Sequence, residues 1–520
     1  MTWFCQQQAS SVPDTSTGTS PTTQYTPPES AQDGKKEQTG HRATSELDDY
    51  LDLLRIGEES TDTYPLHGLS SEEVLTTPLF SWSAKLALAE LCEDDHVDAH
   101  FEQFALLGRG RRRAACEALP TDTTNDTDPL FLNTNAPWSA FLCGSQGSGK
   151  SYTLACMLEG CLLPSKSLGR LPKPLQSIVF HYDAWGAGSV CEAAYLCSAG
   201  IKVNVLVSPS NYWRLKDAYE RIERSEERLQ VRKLRLQPKH LNVERMLALM
   251  AFNESTGKVP LYMEVINKIL RSMAIAGKHR QAFDYRHFIR LLNEEKLSPD
   301  QKGPMNLRLQ LLESFMDTKN TSFDDFKPAP GSLTIVDLTD PFVDTSTACT
   351  LFDICLSLFL EDTSSVGRVI ALDEAHKYMT SSSAAERFSD SLLTCIRMQR
   401  HAACRIIIAT QEPTVSPKLL DLCSITIVHR FTSPAWLAML RSHLSGICSM
   451  AANTDGELRE IFEEIVTLKV GESLLFSPSA IVGVDDGRVA KRLGMEVLRF
   501  KTRPRLTDDG GRSALAVREI

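Results

Sequence analysis

The run FLCGSQGSGKS, Phe141 to Ser151, constrains the fold more than any other stretch of the chain. An apolar, strand-like segment, Ser139 to Cys143, stops at Gly144, and Gly147 and Gly149 follow within the next five residues before a helix-like run from Tyr152 to Leu163. Glycine clustered between two ordered elements marks a backbone that adopts positive φ or comes close to a ligand. The spacing of Gly144, Gly149, Lys150 and Ser151 is G-x-x-x-x-G-K-[ST], the phosphate-binding loop. Residues Gly144, Ser145, Gln146, Gly147, Ser148, Gly149, Lys150, Ser151 and Tyr152 are therefore the candidate nucleotide-binding set. Backbone N–H groups and the N-terminus of the following helix would face a triphosphate. Lys150 would reach the β- and γ-phosphates, and the Ser151 hydroxyl would ligate Mg²⁺.

A second constraint lies downstream. The segments SIVFHYD, IKVNVLVSPS, LTIVDLTD, RVIALDEAH, RIIIATQEP, SITIVHRF and ESLLFSP are short and rich in β-branched residues, with helical segments between several of them. Continuous apolar strands alternating with helices predict an α/β fold with a mainly parallel sheet covered on both faces. The two candidate strand-end aspartates are Asp337 of LTIVD and Asp373 of VIALDE, and of these only Asp373 is followed by a second acid, Glu374. That pairing suits Asp373 to hold Mg²⁺ through water and Glu374 to act as general base on an attacking water. Asp337 reads as a strand-end cap. Gln411, ending IIIATQ, suits sensing of a γ-phosphate or orientation of water. Arg400, Arg405 and Arg430 flank these strands, and any of them could stabilise charge on a transferred phosphoryl group, in the same chain or across a subunit boundary.

The chain has 520 residues and a net charge of −10, so any polyanion contact must be local. No basic and apolar leader opens the sequence and no segment is long and apolar enough to span a bilayer, so an intracellular, soluble location in cytoplasm or nucleus is expected. Fourteen cysteines without a C-x-x-C pair read as reduced, buried small hydrophobes. Cys92, His96 and His100 recur every four residues, which fits a metal site or a solvated helix face.

The expected organisation is a disordered tail over 1–45 and a helical region over 46–125. A first half of the core over 126–211 follows, then a helical insertion over 212–328, the second half over 329–485 and a C-terminal extension over 486–520. The basic cluster GRGRRR, Gly108 to Arg113, reads as a solvated charge run, with nucleic-acid contact as the alternative. Arg214 to Lys239 is a basic arm that could touch a polyanion.

The motifs GSQGSGKS, LTIVDLTDPFVD, RVIALDEAHKYM, the stretch from IRMQRHAAC to ITIVHRF, and VGESLLFSPSAIV resemble, in this order, the FtsK-HerA superfamily of P-loop ATPases over roughly residues 130 to 485. The resemblance implies a RecA-like core of the class with an additional strand and a catalytic glutamate. It also implies ATP and Mg²⁺ as ligands, a glutamine beside the acidic pair (Gln411) and a basic residue before that strand (Arg400). Ring assembly, a hexamer among the options, and a role as a motor on DNA or another polymer follow from the same resemblance. A protein partner and a nucleotide-operated switch with little turnover stay open beside it. No barrel domain is legible before the core. The string DEAH also occurs in superfamily 2 helicases, whose Ser-Ala-Thr and late Q-x-x-G-R-x-G-R motifs are missing here.

Overall fold

Runs of Val, Ile and Leu too short for helices become strands once both faces can be covered. The computed structural model describes residues 71–91, 101–112, 128–184, 190–222, 228–250, 261–276, 283–317, 326, 329–361, 366–444, 455–484 and 489–510. All fall within one unit, Thr63–Ile520. The expectations for residues 1–45 and for the Cys92, His96 and His100 trio lie outside the described residues.

In chain order the strands are β1 (Leu79–Ser81), β2 (Phe104–Arg112), β3 (Asp128–Asn133), β4 (Ser139–Cys143), β5 (Gly169–Arg170), β6 (Gln176–His181), β7 (Lys202–Val207) and β8 (Leu229–Lys233). They continue with β9 (Ser332–Asp337), β10 (Arg368–Leu372), β11 (Cys404–Thr410), β12 (Ile425–His429), β13 (Glu472–Phe476), β14 (Ile481–Val484), β15 (Ala490–Arg492) and β16 (Leu498–Thr502). The order across the sheet is β15-β14-β1-β3-β2-β16-β13-β12-β4-β11-β10-β6-β9-β7-β8. From β12 to β8 every neighbouring pair is parallel. The predicted α/β class, a mainly parallel sheet with helices on both faces, is what forms. Alternate residues of each strand enter opposite cores: Ile370 and Leu372 of β10 face one, Val369 and Ala371 the other.

The region expected to be helical over 46–125 is corrected in part. Helices Ser71–Leu75 and Trp82–Leu91 form, but β1 and β2 belong to an antiparallel wing of the sheet. The reason is a period of two hidden by glycine. In GRGRR the arginines alternate outward while Gly108 and Gly110 face inward, where a side chain would collide. A Cβ at Gly108 would overlap the Lys501 carbonyl and lie 2.6 Å from the Phe500 ring. Gly108→Ala should therefore lower stability by roughly 1–3 kcal/mol through overpacking, read as a lower urea midpoint with an unchanged slope.

The expected helical insertion opens on a helix, Tyr212–Glu220, but a strand then interrupts it. β8, inside the range 212–328, extends the parallel sheet at its edge, and its outer residues Arg232 and Lys233 keep that edge polar. Beyond it, helices Val243–Met250, Leu261–Ala276, Tyr285–Glu294 and Pro299–Ser314 pack into the core on one face of the sheet, as their aliphatic content predicts. Within the expected C-terminal extension, β15 and β16 belong to the sheet, with β16 inserted between β13 and β2.

Candidate functional site

β4 delivers the glycine-rich loop to the C-terminal edge of the parallel strands, and the helix Lys150–Leu162 leaves it. Gly147 and Gly149 have φ of 71° and 107°, left-handed values that glycine adopts without a steric penalty. A Cβ at Gly144 would stand 2.7 Å from the His429 Cβ and 2.9 Å from the Ser148 Oγ, and one at Gly149 would stand 2.9 Å from the Gly471 nitrogen. The loop is thus wedged between β12 and the turn before β13. Ser145 donates its backbone N–H and its hydroxyl to the Arg430 carbonyl, each at 2.8 Å. Arg430 therefore borders the loop, with its backbone as the fastening.

Lys150 is buried, and its ammonium donates to the Ser145 carbonyl at 3.0 Å. Burial pulls its pKa down, opposed by the charges of Glu374 and then Asp373. The acids of the second motif therefore lie within electrostatic reach of the loop lysine. His429, also buried, meets Thr153 Oγ1 at 3.2 Å. Burial and then Lys150 push its pKa down to about 3, which keeps the ring neutral beneath the loop.

The topology explains how two distant segments meet. β11 lies between the loop strand β4 and the acid-bearing β10, with Thr410 opposite Cys143 and Ile408 opposite Leu372. Asp373 and Glu374 leave the end of β10, Gln411 leaves the end of β11, and Gly144 leaves the end of β4. Glu374 has φ 51° and ψ 44°, a left-handed conformation uncommon for a non-glycine residue and typical of functional positions. Its carboxylate accepts from Gln411 Nε2 at 2.8 Å and lies 3.4 Å from His376 Nε2. Burial lowers the His376 pKa despite the Glu374 charge. Asp373 is buried, and its Oδ2 is 3.2 Å from His181 Nδ1. Burial alone would raise the Asp373 pKa; the His181 hydrogen bond and charge outweigh it and hold the carboxyl below its usual range.

The chain fits a magnesium nucleotide at this place on its own features. Asp373 Oδ1 and Ser148 Oγ are buried without a hydrogen-bond partner. The loop glycines form a cradle that side chains would fill, and the Ser151 hydroxyl belongs to the first turn of the helix that the loop opens into.

Gly144 to Tyr152, Asp373, Glu374, Gln411 and Arg430 are thus gathered at one edge of the sheet. Arg400 is not. It lies in the short helix Gln399–Ala402 before β11 and lines a 240 Å³ cavity with Pro137, Ser424 and Ile481, at the opposite ends of the strands. The seven residues of β11 separate it from Gln411 by about 20 Å of strand. Arg405 is structural, donating to the Ala136 carbonyl at 3.0 Å. Asp337 caps its strand end as expected, accepting from the Thr339 N–H at 2.9 Å.

Sequence reasoning missed His181, His376, His429 and Gly471. His181 could have been found from register: it ends β6, the neighbour of β10, so it must stand beside Asp373. It also missed the strap that secures the loop helix. Tyr152 accepts from the Arg505 N–H at 2.9 Å, and the Arg505 guanidinium lies 5.6 Å from the Tyr152 ring centroid. Thr153 Oγ1 meets Thr502 Oγ1 at 2.9 Å, and Glu159 binds Arg503 at 2.7 Å.

The loop, the interposed strand and the acidic pair define a P-loop nucleotide-binding fold. No family model and no curated protein matches the sequence. Solved structures with which the chain shares likeness include VirB4 of Thermoanaerobacter pseudethanolicus, at TM-score 0.43 and 11% identity over 77% of this chain and 96% of that one. Another is the plasmid coupling protein TrwB with ADP and Mg²⁺, at TM-score 0.37 and 11% identity over 78% and 98%. A third is the genome packaging NTPase B204 from Sulfolobus turreted icosahedral virus 2 with ATP-gammaS, at TM-score 0.28 and 10% identity over 71% and 98%. Among the described residues, no helix is long and apolar enough to cross a membrane.

Proposed function

We propose that this chain is an ATP-binding, Mg²⁺-dependent ATP-hydrolysing P-loop ATPase of the FtsK-HerA type that assembles into a ring and acts on DNA. The observation that carries the reading is the placement of β11 between β4 and β10, with Gln411 at its end holding the Glu374 carboxylate at 2.8 Å. In this reading Lys150 leaves the Ser145 carbonyl for the β- and γ-phosphates, and Ser151 and Asp373 hold Mg²⁺. The bound ion supplies positive charge against the phosphate oxygens. Glu374 accepts the proton of the attacking water, and Gln411 orients that water against the γ-phosphate. Arg430 reinforces the loop. Arg400, at the far ends of the strands, is assigned no role at its own chain's nucleotide; any it has there would be toward a neighbouring subunit.

DNA is proposed as the polymer on a local feature of the sheet. Arg109 and Arg111 of β2 stand exposed directly opposite Lys501 and Arg499 of β16, and Arg499 is paired with Glu472 at 2.9 Å. Positive charges exposed side by side along neighbouring strands form a strip that suits a polyanion. Arg111→Ala with Lys501→Ala should leave basal hydrolysis unchanged and reduce the salt dependence of duplex binding, by roughly 0.9 in log–log slope for each phosphate that is no longer neutralised. An unchanged slope removes the strip as the binding surface.

One observation favours a second reading, a nucleotide-dependent switch with little turnover: Gln411 and His376 both engage Glu374 in this arrangement. Hydrolysis rates with and without single- and double-stranded DNA, together with mass by light scattering in ATP, separate the two. The motor reading expects a DNA-stimulated oligomer. A monomer that binds ATP and is indifferent to both nucleic acids supports the switch and rejects the motor.

A further inference from the structure

Behind the acidic pair, three chemically different donors converge from three elements. His181 ends β6, Asp373 follows β10, and Cys191 immediately precedes the short 3-10 helix Glu192–Ala199. All three are buried, at 5%, 4% and 0% exposure. Nδ1 of His181 is 3.2 Å from Asp373 Oδ2, Cys191 Sγ is 3.7 Å from the same oxygen, and the three ligand atoms lie within 4.8 Å of one another.

From these positions we infer that His181, Cys191 and Asp373 form a binding site for a zinc-class divalent ion. Tetrahedral zinc with ordinary bond lengths holds N and O ligands about 3.4 Å apart and S and O ligands about 3.6 Å apart. The two spacings to Asp373 Oδ2 match these to within about 0.2 Å, and closing the His181–Cys191 side, which lies within 4.8 Å, completes the triangle. A His–Asp pair alone is an ordinary buried ion pair. The thiol as third donor on the same oxygen sets this cluster apart, because N, S and O donors together select zinc over magnesium. Asp373 Oδ1 has no hydrogen-bond partner, and a buried unpaired acceptor costs roughly 1–3 kcal/mol. An ion on Oδ2 offsets the charge of the carboxylate and fixes its rotamer, leaving Oδ1 to face the neighbouring site. Three protein ligands leave one coordination position for water. The backbone of Cys191 is itself held, its N–H donating to Tyr219 Oη at 3.0 Å, while Tyr219 Oη donates to Asp337 Oδ2 at 2.6 Å. The inference does not depend on nucleotide binding, and its test is independent of hydrolysis.

The full chain is loaded with Zn²⁺, freed of loose metal on a chelating resin, and its zinc measured by atomic emission. Wild type should retain one equivalent more than Cys191→Ser and than His181→Ala, which should bind zinc at least ~10-fold more weakly. Cys395→Ser, a buried cysteine elsewhere, should match wild type. Co²⁺-loaded wild type should show a thiolate-to-cobalt charge-transfer band that Cys191→Ser lacks. Equal zinc in wild type and Cys191→Ser, or no retained zinc in wild type, overturns the assignment. Should either substitution prevent folding, absence of the cobalt band in wild type overturns it alone.

Discussion

Glu374→Gln is expected to stop phosphate release while ATP stays bound. Glutamine keeps the size of the side chain and can still pair with Gln411, whose Nε2 now donates to Glu374 at 2.8 Å. What it loses is the ability to take a proton, and a positioned general base contributes about 10²–10⁴-fold in rate. Turnover should therefore fall by that range with nucleotide affinity within a few-fold of wild type. The left-handed backbone at Glu374 should be kept in the variant, since glutamine adopts a φ of 51° at a cost similar to glutamate. An undiminished rate in this variant would place the base elsewhere, and loss of binding would make Glu374 a structural residue. Measuring both quantities on one preparation distinguishes the three outcomes.

Glu159→Ala should destabilise the fold more than Gly108→Ala or any of the site substitutions. Glu159 is fully buried in the loop helix and accepts from Arg503 Nη1 at 2.7 Å, the Leu506 N–H at 3.1 Å, the Thr507 N–H at 3.0 Å and the Thr507 hydroxyl at 2.5 Å. Arg503 in turn donates Nη2 to the Cys156 carbonyl at 3.0 Å and Nε to the Leu106 carbonyl at 2.7 Å. Removing the carboxylate strands a buried guanidinium and several donors, a loss of about 3–5 kcal/mol. That is a large share of a typical stability of about 5–15 kcal/mol. Urea unfolding should show the lower midpoint, and Glu159→Gln, which keeps an acceptor, should fall between wild type and the alanine variant. Because the same segment reaches Tyr152 and Thr153, the alanine variant should also bind nucleotide more weakly. A midpoint within about 0.5 kcal/mol of wild type, the range of an ordinary surface change, would mean that this network contributes little.

Much of the central sheet was legible because its residues announce themselves locally. The runs that became β4, β10, β11 and β12 are apolar on both faces, and the loop glycines sit at positions that need positive φ. The antiparallel wing was not legible, because the second half of β2 places glycines inward and arginines outward, so the alternation there carries no hydrophobic signal. The pairing of β16 with β2, which joins opposite ends of the chain, has no local trace either. At the site, the pattern of charged and polar residues gave Lys150, Asp373, Glu374 and Gln411. His181, His429 and Gly471 act through neighbours that only the sheet order brings to them. Arg400 illustrates the limit of adjacency in sequence: it precedes the strand that carries Gln411, yet a strand's length separates the two.

Steady-state phosphate release from Mg²⁺ and ATP, by the purified wild-type chain and by Lys150→Ala side by side, tests most directly whether the glycine loop and the acidic pair make one hydrolytic centre. Measurable release from wild type and a fall of at least ~100-fold in the variant, the scale of removing a dedicated charge stabiliser, is the predicted result. Equal release from both chains would contradict it.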